Sequence, residues 1–265
     1  MRNRIIVWLF LLVGIAASAI GQPQNEQVLV PFDTAVVAGK DGALWSAELR
    51  VRNGSDSEVN LFPEQCFTPG LGQLPCGKKI QIPPQTTEVL TVLNRLTPTI
   101  PDNLHGLLLY VPANRVDDVQ FSLRVRDAKS QDAVGTTLPV VRVRNLRSRY
   151  TIVGVPVSSG QRRTLRVYEP HLPVQSVFRI RVFDEADNRT ILDREFMGWN
   201  STDPPSPVLV PATFDFSDAL VGPELATTQH VSVSIERVFP ETLTFWPMIS
   251  VTSSIDHRIA IFVAN

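Results

Sequence analysis

Apolar and polar side chains alternate one by one through long stretches of this chain, and a period of two limits those stretches to β-strand. In Ser46–Arg52 the residues Ala47, Leu49 and Val51 fall on one face while Glu48, Arg50 and Arg52 fall on the other. The same alternation runs through Phe121–Asp127, Val141–Arg144 and Phe178–Asp184. One apolar and one charged face per strand is the mark of antiparallel sheets that are solvated on one side. The chain's 21 prolines break it too often for long helices, and only Asp215–Leu220 reads as a short helical turn.

Many short strands separated by frequent turns predict an all-β fold built of sandwiches. A polar break at Asn145–Arg149 divides the chain into halves of similar length that close alike. The expected organisation is a signal peptide over residues 1–21, one β-sandwich over 22–146 and a second over 147–265. A single larger sandwich is the competing architecture.

The first residues read as an export signal. Arg2 and Arg4 precede an apolar run from Ile5 to Ile15, and Ala17-Ser18-Ala19 supplies the small residues a signal peptidase needs. Cleavage after Ala19 is expected, with Gly21 as the second choice. The run is shorter than the roughly 20 residues of a membrane anchor, and no later stretch is long and apolar enough, so no membrane span is expected in the mature chain. These features predict a secreted, periplasmic or cell-surface location.

Charge excludes one class of partner. With 25 basic and 26 acidic residues the chain is close to neutral, which argues against nucleic acid held by bulk charge. Cys66 and Cys76 are the only cysteines and enclose a loop rich in turn formers. In an exported protein the expected reading is a disulfide. No histidine stands near them at ligand spacing, so they are not read as metal ligands.

Catalytic chemistry finds little support. His105, His171, His230 and His257 do not pair at ligand spacing, and no G-x-S-x-G elbow is present. No catalytic residue, metal or cofactor is therefore expected. Asp184-Glu185-Ala186-Asp187-Asn188 gathers acidic groups, but it lacks the regular spacing of a calcium loop and reads as a hairpin turn. Asn53-Gly54-Ser55, Asn188-Arg189-Thr190 and Asn200-Ser201-Thr202 match the N-glycosylation triplet.

Two features point to binding. Arginines recur at i and i+2 in Arg50/Arg52, Arg124/Arg126, Arg142/Arg144 and Arg179/Arg181, all on the polar face of their strands. If the first three strands are neighbours, one face carries an arginine patch suited to carboxylates or phosphates of an acidic glycan or lipid headgroup. The opposing expectation is that Glu48, Asp118 and Asp127 neutralise it through cross-strand pairs. Trp199, before the polar and Pro-rich stretch to Pro207, is a conceivable sugar-stacking platform, or else a ring that plugs the end of a sandwich.

Ala47–Leu61 followed by Ile80–Leu90 resembles bacterial immunoglobulin-like domains in its strand, Asn-Gly turn, strand and apolar-Pro-x-x-Thr segment. The resemblance covers about forty residues. It implies a tandem pair of immunoglobulin-like antiparallel β-sandwiches and carries no functional residue across. The two-domain layout is also similar to that of periplasmic pilus chaperones, although their anchoring Arg and Lys pair has no clear counterpart.

The expected function is that of a non-enzymatic adhesion-type binding or structural module. Its partners would be a protein or a cell-surface glycan. The alternatives are a chaperone-like binder that offers a strand edge, and a carbohydrate-binding protein. N-terminal sequencing of the chain secreted from an exporting host is expected to begin at Ile20. Retention of Arg2 and Arg4 would refute the export reading.

Overall fold

Strand-forming side chains and closely spaced turns dominate the computed structural model, which describes residues 25–31, 37–38, 44–68, 72–76, 79–90, 106–129, 135–171, 175–199, 211–253 and 258–264. The expected signal peptide at 1–21 lies outside the described residues. No helix among the described residues is long and apolar enough to cross a membrane.

The first twelve strands are β1 (Asn25–Val30), β2 (Val37–Ala38), β3 (Leu44–Asn53), β4 (Val59–Leu61), β5 (Glu64–Thr68), β6 (Gly72–Cys76), β7 (Ile80–Ile82), β8 (Thr87–Leu90), β9 (Leu107–Pro112), β10 (Val119–Asp127), β11 (Thr136–Leu138) and β12 (Val141–Arg142). Eight follow: β13 (Arg149–Pro156), β14 (Gln161–Glu169), β15 (Gln175–Asp184), β16 (Thr190–Trp199), β17 (Ala212–Asp215), β18 (His230–Phe239), β19 (Trp246–Ser253) and β20 (Ile259–Val263). The helical pieces among the described residues are short 3-10 turns, one of them Ser217–Leu220 within the stretch expected to turn.

The chain is all-β, with four principal sheets. Their strand orders are β12-β1-β9, β11-β10-β3-β2 with β8 also on β3, β13-β18-β15-β16, and β17-β14-β19-β20. Two ribbons, β4-β7 and β5-β6, complete the described strands. No described ladder joins a strand before residue 147 to one after it.

The expected pair of immunoglobulin-like sandwiches is not what forms. The four principal sheets are arranged as a propeller-like ring of four. A two-layer sandwich leaves one face of every sheet to water, and two of these sheets contain stretches with no such face. Consecutive residues Val28-Leu29-Val30 of β1 and Leu107-Leu108-Leu109 of β9 are all buried. The same holds for Val167-Tyr168-Glu169 of β14 and, in β19, for Trp246 and its neighbours. Near-continuous burial means cover on both faces.

These two covered sheets meet where the buried Tyr168 hydroxyl donates to the Pro31 carbonyl at 2.7 Å. The buried apolar residues of both halves form one continuous core. The other two principal sheets, carrying β3 and β10 in one case and β15 and β16 in the other, keep an outward face.

The expected Cys66–Cys76 disulfide is also not supported. In the β5–β6 ribbon Cys66 stands opposite Leu74 and Cys76 opposite Glu64, two residues out of register. Diagonal neighbours of that kind lie about 7–8 Å apart, beyond disulfide reach.

The interface between the sheets of β15 and β14 is built on rings and one charge pair. Phe178 of β15 is fully buried and meets Phe245 edge-on at 5.1 Å, Phe216 at 5.5 Å and Phe214 at 6.0 Å. The Arg237 guanidinium of β18 lies 4.8 Å above the Phe178 ring and forms an ion pair with Glu169 of β14. Both side chains are wholly shielded from solvent. The Ser176 hydroxyl donates to Glu169 Oε2 at 2.7 Å and accepts from Arg237 Nη1 at 3.3 Å. Burial draws the guanidinium down to about 10, still protonated at neutral pH.

Removing one partner of such a pair strands the other charge, at about 3–5 kcal/mol. We therefore expect Arg237→Met to lower unfolding free energy by that order in urea denaturation. The double variant Arg237→Met/Glu169→Leu should recover most of the loss. A single variant as stable as the parent would show that the pair carries no such role.

Candidate functional site

β3 and β10 pair antiparallel in continuous register from Asn53↔Val119 to Trp45↔Asp127. The alternation read in the sequence is realised here. Leu49, Val51, Leu123 and Val125 are buried, while Arg50, Arg52, Arg124 and Arg126 are exposed. Of the four arginine pairs, the register brings two onto one outward face. Across the ladder Arg52 stands opposite Gln120, Arg50 opposite Ser122, Glu48 opposite Arg124 and Ser46 opposite Arg126. Thr87 and Val89 of β8 extend the Arg52 and Arg50 rows, and Thr137 of β11 extends the Arg124 row.

A shallow cleft of about 70 Å³ opens in this face, lined by Glu48, Arg50, Arg124 and Arg126. Glu48 Oε1 accepts from Arg50 Nε at 2.6 Å. Among the described residues no carboxylate pairs with Arg52, Arg124 or Arg126.

Of the three expected neutralisers Glu48 does take Arg50, and the other two are engaged elsewhere. Asp118 accepts from Arg115 Nε at 2.8 Å, and Asp127 Oδ1 accepts the backbone N–H groups of Leu44 and Lys129. Four guanidiniums on one face against a single carboxylate attract anions, and each fork can bind a carboxylate, sulfate or phosphate bidentately.

Local structure fixes both ends of the face. Beyond Arg52 the chain turns at Asn53, whose buried amide donates to the carbonyls of Ser57, Ile82 and Pro83 and accepts from the Ser55 N–H and hydroxyl. That amide is fully engaged, so the Asn53-Gly54-Ser55 triplet offers no glycan acceptor in the folded chain. At the other end Gly135 takes φ +70°, and a Cβ there would stand 2.7 Å from the Val125 carbonyl oxygen. Glycine is required beside the Arg124 and Arg126 side chains.

The other two arginine pairs go elsewhere. β12 lies beside β1 rather than β3, so Arg142 and Arg144 leave this face. Arg142 pairs with Asp117 at 2.6 Å and Arg144 with Glu26 at 3.2 Å. Arg179 and Arg181 of β15 are neutralised on the outward face of their own sheet. Asp193 takes Arg179 at 2.6 Å and Arg181 at 3.5 Å, and Glu236 pairs with both Arg149 and Arg181. On β15 the neutralising carboxylates come from the neighbouring strands β16 and β18.

Trp199 ends the edge strand β16 and is 63% exposed, so it does not plug the core. Met197 precedes it on the same face and stands opposite Val177, which in turn stands opposite Phe239. Met197, Trp199 and Phe239 form an exposed apolar row across one end of that sheet. Gly198 between them is buried because a Cβ would meet the Phe214 ring at 2.5 Å. The rest of the Trp199–Pro207 stretch, including the Asn200 triplet, lies outside the described residues.

The carboxylates of the acidic turn are held by its own backbone and by neighbouring segments. Asp184 accepts from the Ala186 N–H and the Thr228 hydroxyl, Glu185 from the Gly154 N–H and Asp187 from the Arg189 N–H. Among the described residues no group of His, Cys, Asp and Glu gathers as a metal site. His171 is half-buried, which lowers its pKa, and His230 is exposed. His105 and His257 lie outside the described residues.

Sequence reading missed the Met197–Phe239 row and the Arg237–Glu169 pair. A signal existed for each: Met197 sits on the polar phase of its strand, and Arg237 continues the apolar phase of Val231, Val233 and Ile235. No protein-family model matches this chain, and no curated protein matches its sequence.

The clamp on Arg179 generates a pH prediction. Its hydrogen bond to Asp193, with the positive charge behind it, holds the Asp193 carboxyl below the usual range. The stabilisation is complete above about pH 4 and is lost as the pH falls through the lowered value. Asp193→Asn is expected to flatten the acid limb of the stability profile measured by thermal melts. An unchanged limb would place the acid sensitivity at other carboxylates.

Proposed function

We propose that this chain is an exported, non-enzymatic binding protein of the periplasm or cell surface that captures anionic groups on its β3–β10 face. One observation carries the reading. The β3–β10 register sets Arg50, Arg52, Arg124 and Arg126 on a single solvent face with, among the described residues, Glu48 as the one carboxylate lining their cleft. The chain as a whole is close to neutral, so this local excess is not a by-product of bulk charge. The buried apolar residues of the same two strands, Leu49, Val51, Leu123 and Val125, hold a rigid platform for the guanidiniums.

Binding here needs no cleft deep enough to exclude water. It needs forks held at fixed separations, which a paired ladder supplies. An anion bridging Arg50 and Arg124 across the shallow cleft would gain two charge-assisted contacts, each worth about 1.5–3 kcal/mol. The partner in this reading is a carboxylated, sulfated or phosphorylated molecule, with an acidic cell-surface glycan as the foremost candidate.

A second reading places a neutral glycan or a protein partner on Trp199, supported by the exposure of its ring beside Met197 and Phe239. A strand-edge binder would use β16, the edge of the same sheet.

Calorimetric titration with a sulfated disaccharide separates these readings. Arg50→Gln/Arg124→Gln is expected to weaken binding at least about tenfold, the worth of one such contact. Arg179→Gln/Arg181→Gln removes the same formal charge from an ion-paired face and should leave binding unchanged. Loss in the second double variant alone, or loss only in Trp199→Ala, would overturn the proposal.

A further inference from the structure

We infer that the occupant of the β3–β10 face is a linear acidic polysaccharide laid along the strands, an inference that rests on the anion-binding reading above. The geometry is a track rather than a pocket. Each row of the ladder holds one arginine: Arg52 and Arg50 on β3, then Arg124 and Arg126 on β10. Alternate residues of a strand are about 7 Å apart, so the four guanidiniums are strung over about 20 Å along the strands. The sideways step from β3 to β10 is only about 4.8 Å. A compact anion reaches the cleft arginines Arg50, Arg124 and Arg126 and leaves Arg52 out, whereas an extended one meets all four in single file.

Glu48 chooses among extended anions. It stands in the Arg124 row beside Arg50, in the middle of the track. An ionised carboxylate only accepts hydrogen bonds. A ligand crossing it must therefore present a donor between its own anionic groups. A sugar hydroxyl does this, while the bare oxygens of polyphosphate meet Glu48 with like charge.

The neighbours of the arginines fit the same chemistry. Ser46, Ser122, Gln120, Thr87 and Thr137 flank the track with hydroxyls and an amide. Among the described residues the face carries no aromatic ring, since Phe121 lies on the opposite side of β10. Single-stranded nucleic acid is held by stacking bases on such rings. A track of charge, hydroxyls and one acceptor, with nothing to stack on, matches polyhydroxylated chains.

The test titrates the purified chain with oligouronates of defined length, from disaccharide to dodecasaccharide. Length-matched polyphosphate, a single-stranded oligonucleotide and phosphatidylserine vesicles serve as competitors. Affinity is expected to rise at least about tenfold from disaccharide to the longer oligomers and then level off, as Arg52 adds its contact. Arg52→Gln, outside the cleft, should weaken the long oligomers and leave the disaccharide unaffected. Glu48→Ala should shift preference towards polyphosphate.

Equal affinity for disaccharide and dodecasaccharide would overturn the linear occupant while leaving the anion site standing. Tighter binding of polyphosphate, oligonucleotide or vesicles by the unaltered chain would overturn the polysaccharide assignment. If no anion binds, or binding is indifferent to all four arginines, the underlying anion-binding reading fails as well. The arginines are exposed and Glu48 is partly so, and unchanged thermal melts will separate lost binding from lost folding.

Discussion

A sheet that is apolar on both faces cannot stand at a surface, and this constraint organises the molecule. The β12-β1-β9 sheet and much of the β17-β14-β19-β20 sheet have consecutive buried residues, so each needs cover on two sides. The two meet where the Tyr168 hydroxyl donates to the Pro31 carbonyl. The remaining sheets close the outer sides and turn their charged faces to water. The arginine track and the Trp199 row thus both lie on the covering layers, where side chains are free to serve recognition rather than packing.

Within the second half the Arg237–Glu169–Ser176 network has a different task. Aromatic contacts around Phe178 attract the two sheets without fixing their relative position, because apolar packing is non-directional. A buried guanidinium has few acceptable arrangements. It must keep its carboxylate on β14, its hydroxyl on β15 and its ring beneath it. We read the pair as a device that selects one registration of the sheets, at a cost in desolvation that the rings offset.

Much of this was legible in the sequence, and the reasons for the rest are physical. Period-two alternation revealed the strands of the outer layers, since only there does one face see water. It also put Arg50, Arg52, Arg124 and Arg126 on an outward face. Which strands are neighbours does not follow from periodicity, and so Arg142 and Arg144 were grouped with a face from which β12's pairing with β1 removes them. The sandwich expectation failed on Leu107-Leu108-Leu109 and its kind, where a continuous apolar run signals a layer covered on both sides. The disulfide expectation failed because proximity in sequence says nothing about ladder phase, and the β5–β6 register leaves Cys66 and Cys76 diagonal. Neutralisation depended on long-range partners: Asp193 and Glu236 reach Arg179 and Arg181, whereas Asp118 and Asp127 turn to local bonds.

One small contact has a consequence for how the chain behaves in a crowd. β11 and β20 are outermost in their sheets, and the Thr136 hydroxyl donates to the Ile259 carbonyl at 2.6 Å. An unpaired strand border is a template on which a second molecule can add its own strand, the first step of ordered aggregation. Here two such borders approach one another, and a side chain of one occupies a carbonyl of the other. A strand arriving from a second molecule would have to displace that hydroxyl before it could pair at this seam.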